Sequence, residues 1–138
     1  MERIVLDTNC LIHCIAKTSP YHHIWLSILD GKYTLCVTTD ILNEYAEILE
    51  QHTSPVFASL AIEIIATNPF TEFIDTFYNF NLIHSDPDDN KFVNCAITAN
   101  AKFIVTEDKH FNILKQISFP KVDIIGLDDF LAYTVKNL

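Results

Sequence analysis

Glycine is nearly missing from this chain of 138 residues: only Gly31 and Gly126 occur, beside five prolines. No Ser/Pro-rich stretch, internal repeat or low-complexity segment appears either, so nothing divides the chain into parts. Basic residues are scarce as well. Nine Lys and Arg stand against 18 Asp and Glu, a net charge of −9. The surface as a whole therefore does not attract a polyanion, and any phosphate substrate must be brought in by a local basic feature or by metal ions. No apolar run approaches the length that spans a membrane. The opening "MERIVLDTN" puts an acid and an asparagine where a signal peptide needs an unbroken apolar core. The four cysteines, Cys10, Cys14, Cys36 and Cys95, form no C-x-x-C pair, and no zinc-spaced His/Cys pair accompanies them. Buried, reduced thiols in a soluble cytoplasmic protein are the expectation. What the chain does have is apolar bulk, 49% hydrophobic against 20% charged. That composition predicts one globular domain over residues 1–138 with a sizeable core.

Short β-rich runs alternate with helical patterns. Arg3–Leu6 reads as a strand buried on both faces. Thr8 or Asn9 then offers a helix cap, with Leu11, Ile12 and Ile15 at helical spacing. A second helix opens near Pro20 and ends at Gly31, and "TLCVTTD" follows as a strand. Thr39 or Asp40 is expected to cap a helix carrying Ile41, Tyr45, Ile48 and Leu49, and Ser54-Pro55 to start another. From Thr71 to His84 the pattern is aromatic-rich and ambiguous, one strand and a loop. "DPDDNKFVNCAITAN" reads as a helix, "KFIVT" as a strand, "DKHFNILKQI" as a short helix, "VDII" as a strand and "LDDFLAYTV" as a closing helix. This order predicts an α/β fold with a mainly parallel central sheet covered on both faces.

Four acids sit awkwardly in that scheme. Asp7 interrupts the apolar run "IVLDTNCLI", where an unpaired carboxylate costs several kcal/mol to bury. Asp108 follows another strand, so two strands deliver carboxylates to one edge of the sheet, the edge where such folds bind ligands. Glu44 falls on the stripe of its helix that should face the core. Asp89 lies three residues before Phe92, in the first turn of its helix. Each has a plain structural explanation, as a turn residue, a helix cap or a side chain reaching solvent from the sheet rim. Together they come from four segments with no Arg or Lys evidently placed to neutralise them. Carboxylates so clustered repel unless they share protons or hold a hard cation, and oxygen-only ligands suit Mg²⁺ or Mn²⁺.

The same residues carry a family resemblance. "VLDTN", the Glu44 of "TTDILNE", "DPDDNKF" leading into a helix and "IVTEDKHF", in this order and spacing, resemble a PIN domain over essentially the whole chain. They are most similar to the bacterial PIN proteins of toxin–antitoxin pairs. The resemblance implies a three-layer α/β/α sandwich and a metal-dependent endoribonuclease acting on single-stranded RNA, with Mg²⁺ or Mn²⁺ as cofactor. It implies in-line attack on the phosphodiester by a water that the cation activates, leaving a 5′-phosphate and a 3′-hydroxyl. Carried onto this chain, the catalytic and metal set is Asp7, Glu44, Asp89 and Asp108. Asp7 and Asp89 are the expected direct ligands, and Glu44 and Asp108 orient water or complete a second metal position. Thr8, Asn9, Asp86, Asp88 and Thr106 are supporting residues. Asp86, Asp88 and Asp89 compete for the third position, and Asp89 has the helical phase that matches Phe92. Glu107 adds an acid of open orientation. Lys91, Lys109 and His110 stand beside the acids as candidate RNA contacts, a solvated surface charge being the plain alternative for each lysine. An antitoxin protein is the implied partner, a homodimer a further one, and no membrane is involved.

Other classes fit less well. A phosphoacceptor receiver domain needs paired acids early in the chain and a lysine after a late strand, whereas Glu2 precedes the first strand and Lys109 is at the wrong offset. A haloacid-type phosphohydrolase needs D-x-D after its first strand, and Asn9 replaces the second Asp. A non-catalytic PIN-fold binding or scaffold module is opposed by the complete acid set. His13, His22, His23, His52 and His84 receive no role.

Overall fold

In the computed structural model, which describes residues 1–137, strands and helices alternate as the periodicity predicts. The order is β1 (Glu2–Leu6), α1 (Thr8–Ile15), α2 (His22–Leu29), β2 (Tyr33–Val37), α3 (Thr39–His52), α4 (Pro55–Thr67), β3 (Thr71–Phe73), α5 (Asn90–Ala99), β4 (Phe103–Val105), β5 (Ile124–Ile125) and α6 (Leu127–Lys136). Two 3₁₀ segments, Pro87–Asp89 and Lys109–Gln116, complete the regular elements among the described residues.

All five strands are parallel, in the order β3-β2-β1-β4-β5. Parallel strands need covered faces, and β1 shows it: consecutive residues Ile4, Val5 and Leu6 point to alternate faces, yet all three are fully buried. Helix α5 packs on β1, β2 and β4, while α2 packs on β2 and against α6. Phe130 of α6 sits 5.0 Å from the Tyr33 ring and 6.2 Å from that of Phe103. The result is the expected three-layer α/β/α arrangement.

The strand order fixes where a site can be. From β1 the chain moves outward through β2 to β3, then returns to the other side of β1 to lay down β4 and β5. The switch point therefore lies between β1 and β4, paired with Leu6 opposite Val105. Loops leaving these two carboxyl ends diverge and open a crevice.

Local signals match the observed ends of some elements and lie one residue or so from those of others. Ser54 accepts the Phe57 N–H at 3.1 Å and Pro55 fills the first turn of α4, as expected. Gly31 ends α2 at φ +82°, a conformation costly for any side chain. Helix α3 is capped one residue earlier than expected: Thr38 accepts the Ile41 N–H at 3.1 Å, and Asp40 lies in the first turn. The cap position of α1 belongs to Asp7 rather than to Thr8 or Asn9, and that of α5 to Asp89 rather than to a residue before it; neither side chain makes a capping bond. "DKHFNILKQI" winds as 3₁₀, not α. Among the described residues no helix is long and apolar enough to cross a membrane.

Candidate metal centre

Asp7 is the first residue past β1, and its N–H extends the ladder to the Val105 carbonyl at 3.0 Å. Though it holds the cap position of α1, its side chain makes no capping bond. Instead its Oδ2 accepts the Thr106 hydroxyl at 2.8 Å, and the same Thr106 oxygen accepts the Asp108 N–H at 3.0 Å. Thr106 thus ties the ends of β1 and β4 together and aims both aspartates at the crevice. Asp7 is only 6% exposed. Burial pushes its pKa up from the ordinary carboxylate value; bonds from Thr106 and the Thr8 backbone oppose the rise, and the Asp108 and Glu44 charges add to it.

Glu44 reaches the same crevice from α3. Its neighbour Tyr45 is fully buried and donates its hydroxyl to the Leu6 carbonyl, which locks α3 to the end of β1. The Glu44 carboxylate is shared between the Thr8 hydroxyl and Lys91, whose Nζ lies 2.8 Å away. This corrects the expectation that no cation neutralises the acids. Lys91 also meets Asp88 at 2.9 Å, and its side chain is only 14% exposed. Burial alone would lower its pKa, but the bonds and charges of Glu44 and Asp88 more than offset that and raise it. Lys91, read from sequence as a phosphate contact, has its ammonium turned to two carboxylates.

The turn Pro87–Asp89 sorts the three competing aspartates. Asp88 faces outward to solvent and Lys91. Asp89 faces inward: its Oδ2 is buried without a hydrogen-bond partner. Its pKa is pushed up to about 7, first by desolvation, then by the charges of Asp86, Asp108 and Asp7, with His110 pulling the other way. Asp86 joins it from the rim, both carboxylates lying within 3.7 Å of His110 Nδ1. Asp108 accepts the His110 backbone N–H at 2.9 Å and so starts the second 3₁₀ segment. Glu107 lines the cavity beside Asp7 and Asp108 while its Oε1 accepts the Leu127 N–H at 2.8 Å, at the start of α6. Gly126 leaves room for it, since a Cβ there would come within 3.3 Å of Glu107 Oε2.

The four predicted acids therefore do meet at one crevice, with Thr8 and Thr106 among them. A cavity of ≈ 260 Å³ opens beside Asp7, Asn9, His13 and Asp108. A larger one of ≈ 530 Å³ opens beside Glu44, Asn79, Asp88 and Lys91. Lys109 is exposed and lines neither cavity. A donor set of carboxylate oxygens with one oxygen buried and unpartnered fits a hard divalent cation, which would satisfy Asp89 and screen its neighbours.

Two residues escaped the sequence reading. Asn90 Oδ1 accepts the Ile83 N–H at 2.9 Å while its Nδ2 donates to the Ile83 and Pro87 carbonyls at 2.9 and 3.1 Å. Asn94 accepts the Phe80 N–H at 3.1 Å and donates to Asn79 at 3.1 Å. The pair pins the irregular segment 74–86, and with it Asp86, onto α5. The available signal was two asparagines four residues apart beside Phe92 and Cys95, where polar side chains need dedicated partners.

Comparison with known proteins agrees with this geometry. A PIN domain family model matches residues 3–110. No curated protein sequence matches significantly. Among solved structures, VapBC2 from Rickettsia felis bound to a promoter DNA fragment aligns with TM-score 0.62 and 18% identity, covering 90% of this chain and 98% of that one. DNA-bound VapBC from Salmonella typhimurium aligns with TM-score 0.61 and 20% identity, covering 92% and 99%. The PIN domain endonuclease Utp24 aligns with TM-score 0.52 and 18% identity, covering 90% and 84%. At such identities the structural matches speak for the fold, and the family model, which spans well over half the chain, speaks for descent: this protein belongs to the PIN domain family.

Proposed function

We propose that this protein is a divalent-metal-dependent endoribonuclease acting on single-stranded RNA, and the toxin of a toxin–antitoxin pair. PIN domains are nucleases that use divalent metals. The observation that carries the reading for this chain is the buried, unpartnered Oδ2 of Asp89 among the carboxylates at the switch point. Asp7 and Asp89 would hold Mg²⁺ or Mn²⁺ directly, with Asp108 beside them. A bound divalent cation supplies charge neutralisation at the scissile phosphate and a lowered pKa for the attacking water. The chain's own part is positioning. Thr106 fixes the Asp7 carboxylate, Thr8 and Lys91 fix that of Glu44, and Asp108 is held by its contacts with Thr106 and His110. Lys109, exposed next to Asp108 in the chain, would meet a phosphate of the strand. The products are a 5′-phosphate and a 3′-hydroxyl.

The toxin assignment draws on the two VapBC matches, complexes of a toxin with its antitoxin. An antitoxin would silence this site by placing a basic side chain among the acids. One observation favours a second reading, a PIN-fold module without catalysis: Lys91 already supplies Glu44 with a cation. Incubating purified protein with single-stranded RNA in Mg²⁺, in Mn²⁺ and in excess chelator separates the two, with Asp7→Asn alongside. Cleavage with metal, lost on chelation and in the variant, supports the nuclease. Cleavage surviving chelation, or none with either metal, would overturn it. Growth on expressing the protein alone and with its genomic neighbour tests the toxin assignment.

A further inference from the structure

We propose that His110 is a nitrogen ligand to the cation of this site, on its Asp86/Asp89 side, and that it tilts the site toward Mn²⁺ over Mg²⁺. The inference rests on the metal-dependent reading above and adds to it one ligand and a preference.

His110 Nδ1 faces three carboxylates, at 3.3 Å from Asp108 Oδ1, 3.6 Å from Asp89 Oδ2 and 3.7 Å from Asp86 Oδ2. None of the three contacts is a hydrogen bond, and Asp89 Oδ2 stays without a partner although the imidazole nitrogen lies 3.6 Å away. One donor atom each from Asp86, Asp89 and His110 lies within 4.8 Å of the others. The separations of 3.6 and 3.7 Å are less than twice a metal–ligand bond of about 2.0–2.2 Å, so one cation can touch the nitrogen together with either oxygen.

The position of the ring does not depend on the cation. The His110 backbone N–H is bonded to Asp108, and Phe111, the next residue, is fully buried 6.3 Å from the Phe92 ring of α5. Packing of the 3₁₀ segment on α5 thus sets the imidazole opposite the start of the same helix, where Asp89 sits. Chemistry supplies the preference. Mg²⁺ keeps oxygen ligands and its waters, whereas an imidazole nitrogen suits transition-metal ions. A carboxylate-only site discriminates weakly between Mg²⁺ and Mn²⁺; one nitrogen in the set favours Mn²⁺.

The rival role is a simple counter-charge, an imidazolium balancing three acids. Pulsed EPR of Mn²⁺ bound to the RNA-free protein tells the two apart, with calorimetric titration of Mn²⁺ and of Mg²⁺ into wild type and His110→Ala. The imidazole is half-exposed and the capping bond is made by the backbone, so the variant should fold, which its melting curve checks. The expected result is a nitrogen hyperfine coupling in wild type that vanishes in the variant. Mn²⁺ affinity should fall roughly tenfold or more, as for loss of a ligand or its close support, while Mg²⁺ affinity changes far less. Mn²⁺ bound without nitrogen coupling, or bound as tightly or more tightly by the variant, would overturn the ligand role and leave the nuclease reading standing. Failure of wild type to bind either ion would overturn both.

Discussion

Around the amino ends of the strands, three acids each have their own base: Glu2 meets Lys102 at 3.6 Å, Glu72 meets Arg3 at 3.0 Å and Asp123 meets Lys121 at 3.3 Å. At the carboxyl ends, Asp7, Glu44, Asp86, Asp88, Asp89 and Asp108 share one lysine and one histidine. The amino-end pairs are exposed and water-screened, the kind that adds little to stability. Four of the carboxyl-end acids, Asp7, Glu44, Asp89 and Asp108, are buried or partly buried, and two of them, Asp7 and Asp89, have raised pKa values. One sheet thus carries neutral housekeeping charge at one end and uncompensated negative charge at the other. Folding alone gives no reason for the second arrangement, because the repulsion opposes it. A cation does.

The contrast can be broken or sharpened by substitution. The largest effect should come from Asp89→Asn, which should take Mn²⁺-dependent RNA cleavage to assay background while Glu72→Gln leaves it unchanged; rates measured on one single-stranded substrate decide this. Next is Lys91→Met. Removing a mostly buried ammonium leaves Glu44 and Asp88 unpaired and should cost about 1–2 kcal/mol in urea unfolding, between the ranges for exposed and buried pairs.

A smaller effect follows from pH in the metal-free protein. Between the ordinary 3.8 and about 7, folded Asp89 holds a proton that the unfolded chain has released. Its contribution to stability therefore falls as pH rises across that window and levels off above it. Asp7, also raised, adds in the same direction. Asp89→Asn should flatten the decline when melting in EDTA is followed against pH. The smallest effect belongs to the amino end: Arg3→Gln should cost only about 0.2–1 kcal/mol, and added salt should erase it.

Much of this was open to reading from the sequence, and what was hidden shares one cause. Periodicity and turn residues gave the α/β order because each is a local property. Asp7 and Glu44 stood out because a carboxylate in an apolar run or on a core stripe conflicts with its surroundings, whereas Asp89 and Asp108, ordinary singly, gained weight from the convergence of four segments. Lys91 was visible but its partner was not: whether it met RNA or Glu44 depended on how α3 packs beside α5. The role of His110 was hidden for the same reason, since the groups its ring faces come from both sides of α5's start. Asn90 and Asn94 hold a segment with no pattern of its own, so nothing local announced them. Caps shifted by one residue at α1 and α3 because neighbouring Asp and Thr residues are all competent caps.

The central claim, that the carboxyl-end charge exists to hold a cation, is tested most directly by four melting curves: wild type and Asp7→Asn, each in EDTA and in Mn²⁺. Asp7 makes no capping bond to α1, and an asparagine can keep the contact with Thr106 while removing one charge from the cluster. In EDTA the variant should be the more stable by about 0.5–2 kcal/mol, or roughly 1–6 °C. Mn²⁺ should then raise the wild type clearly and the variant little, since binding stabilises only where affinity survives. A variant less stable than wild type in EDTA, with Mn²⁺ shifting both proteins equally or neither, would contradict the claim and return Asp7 to a structural role.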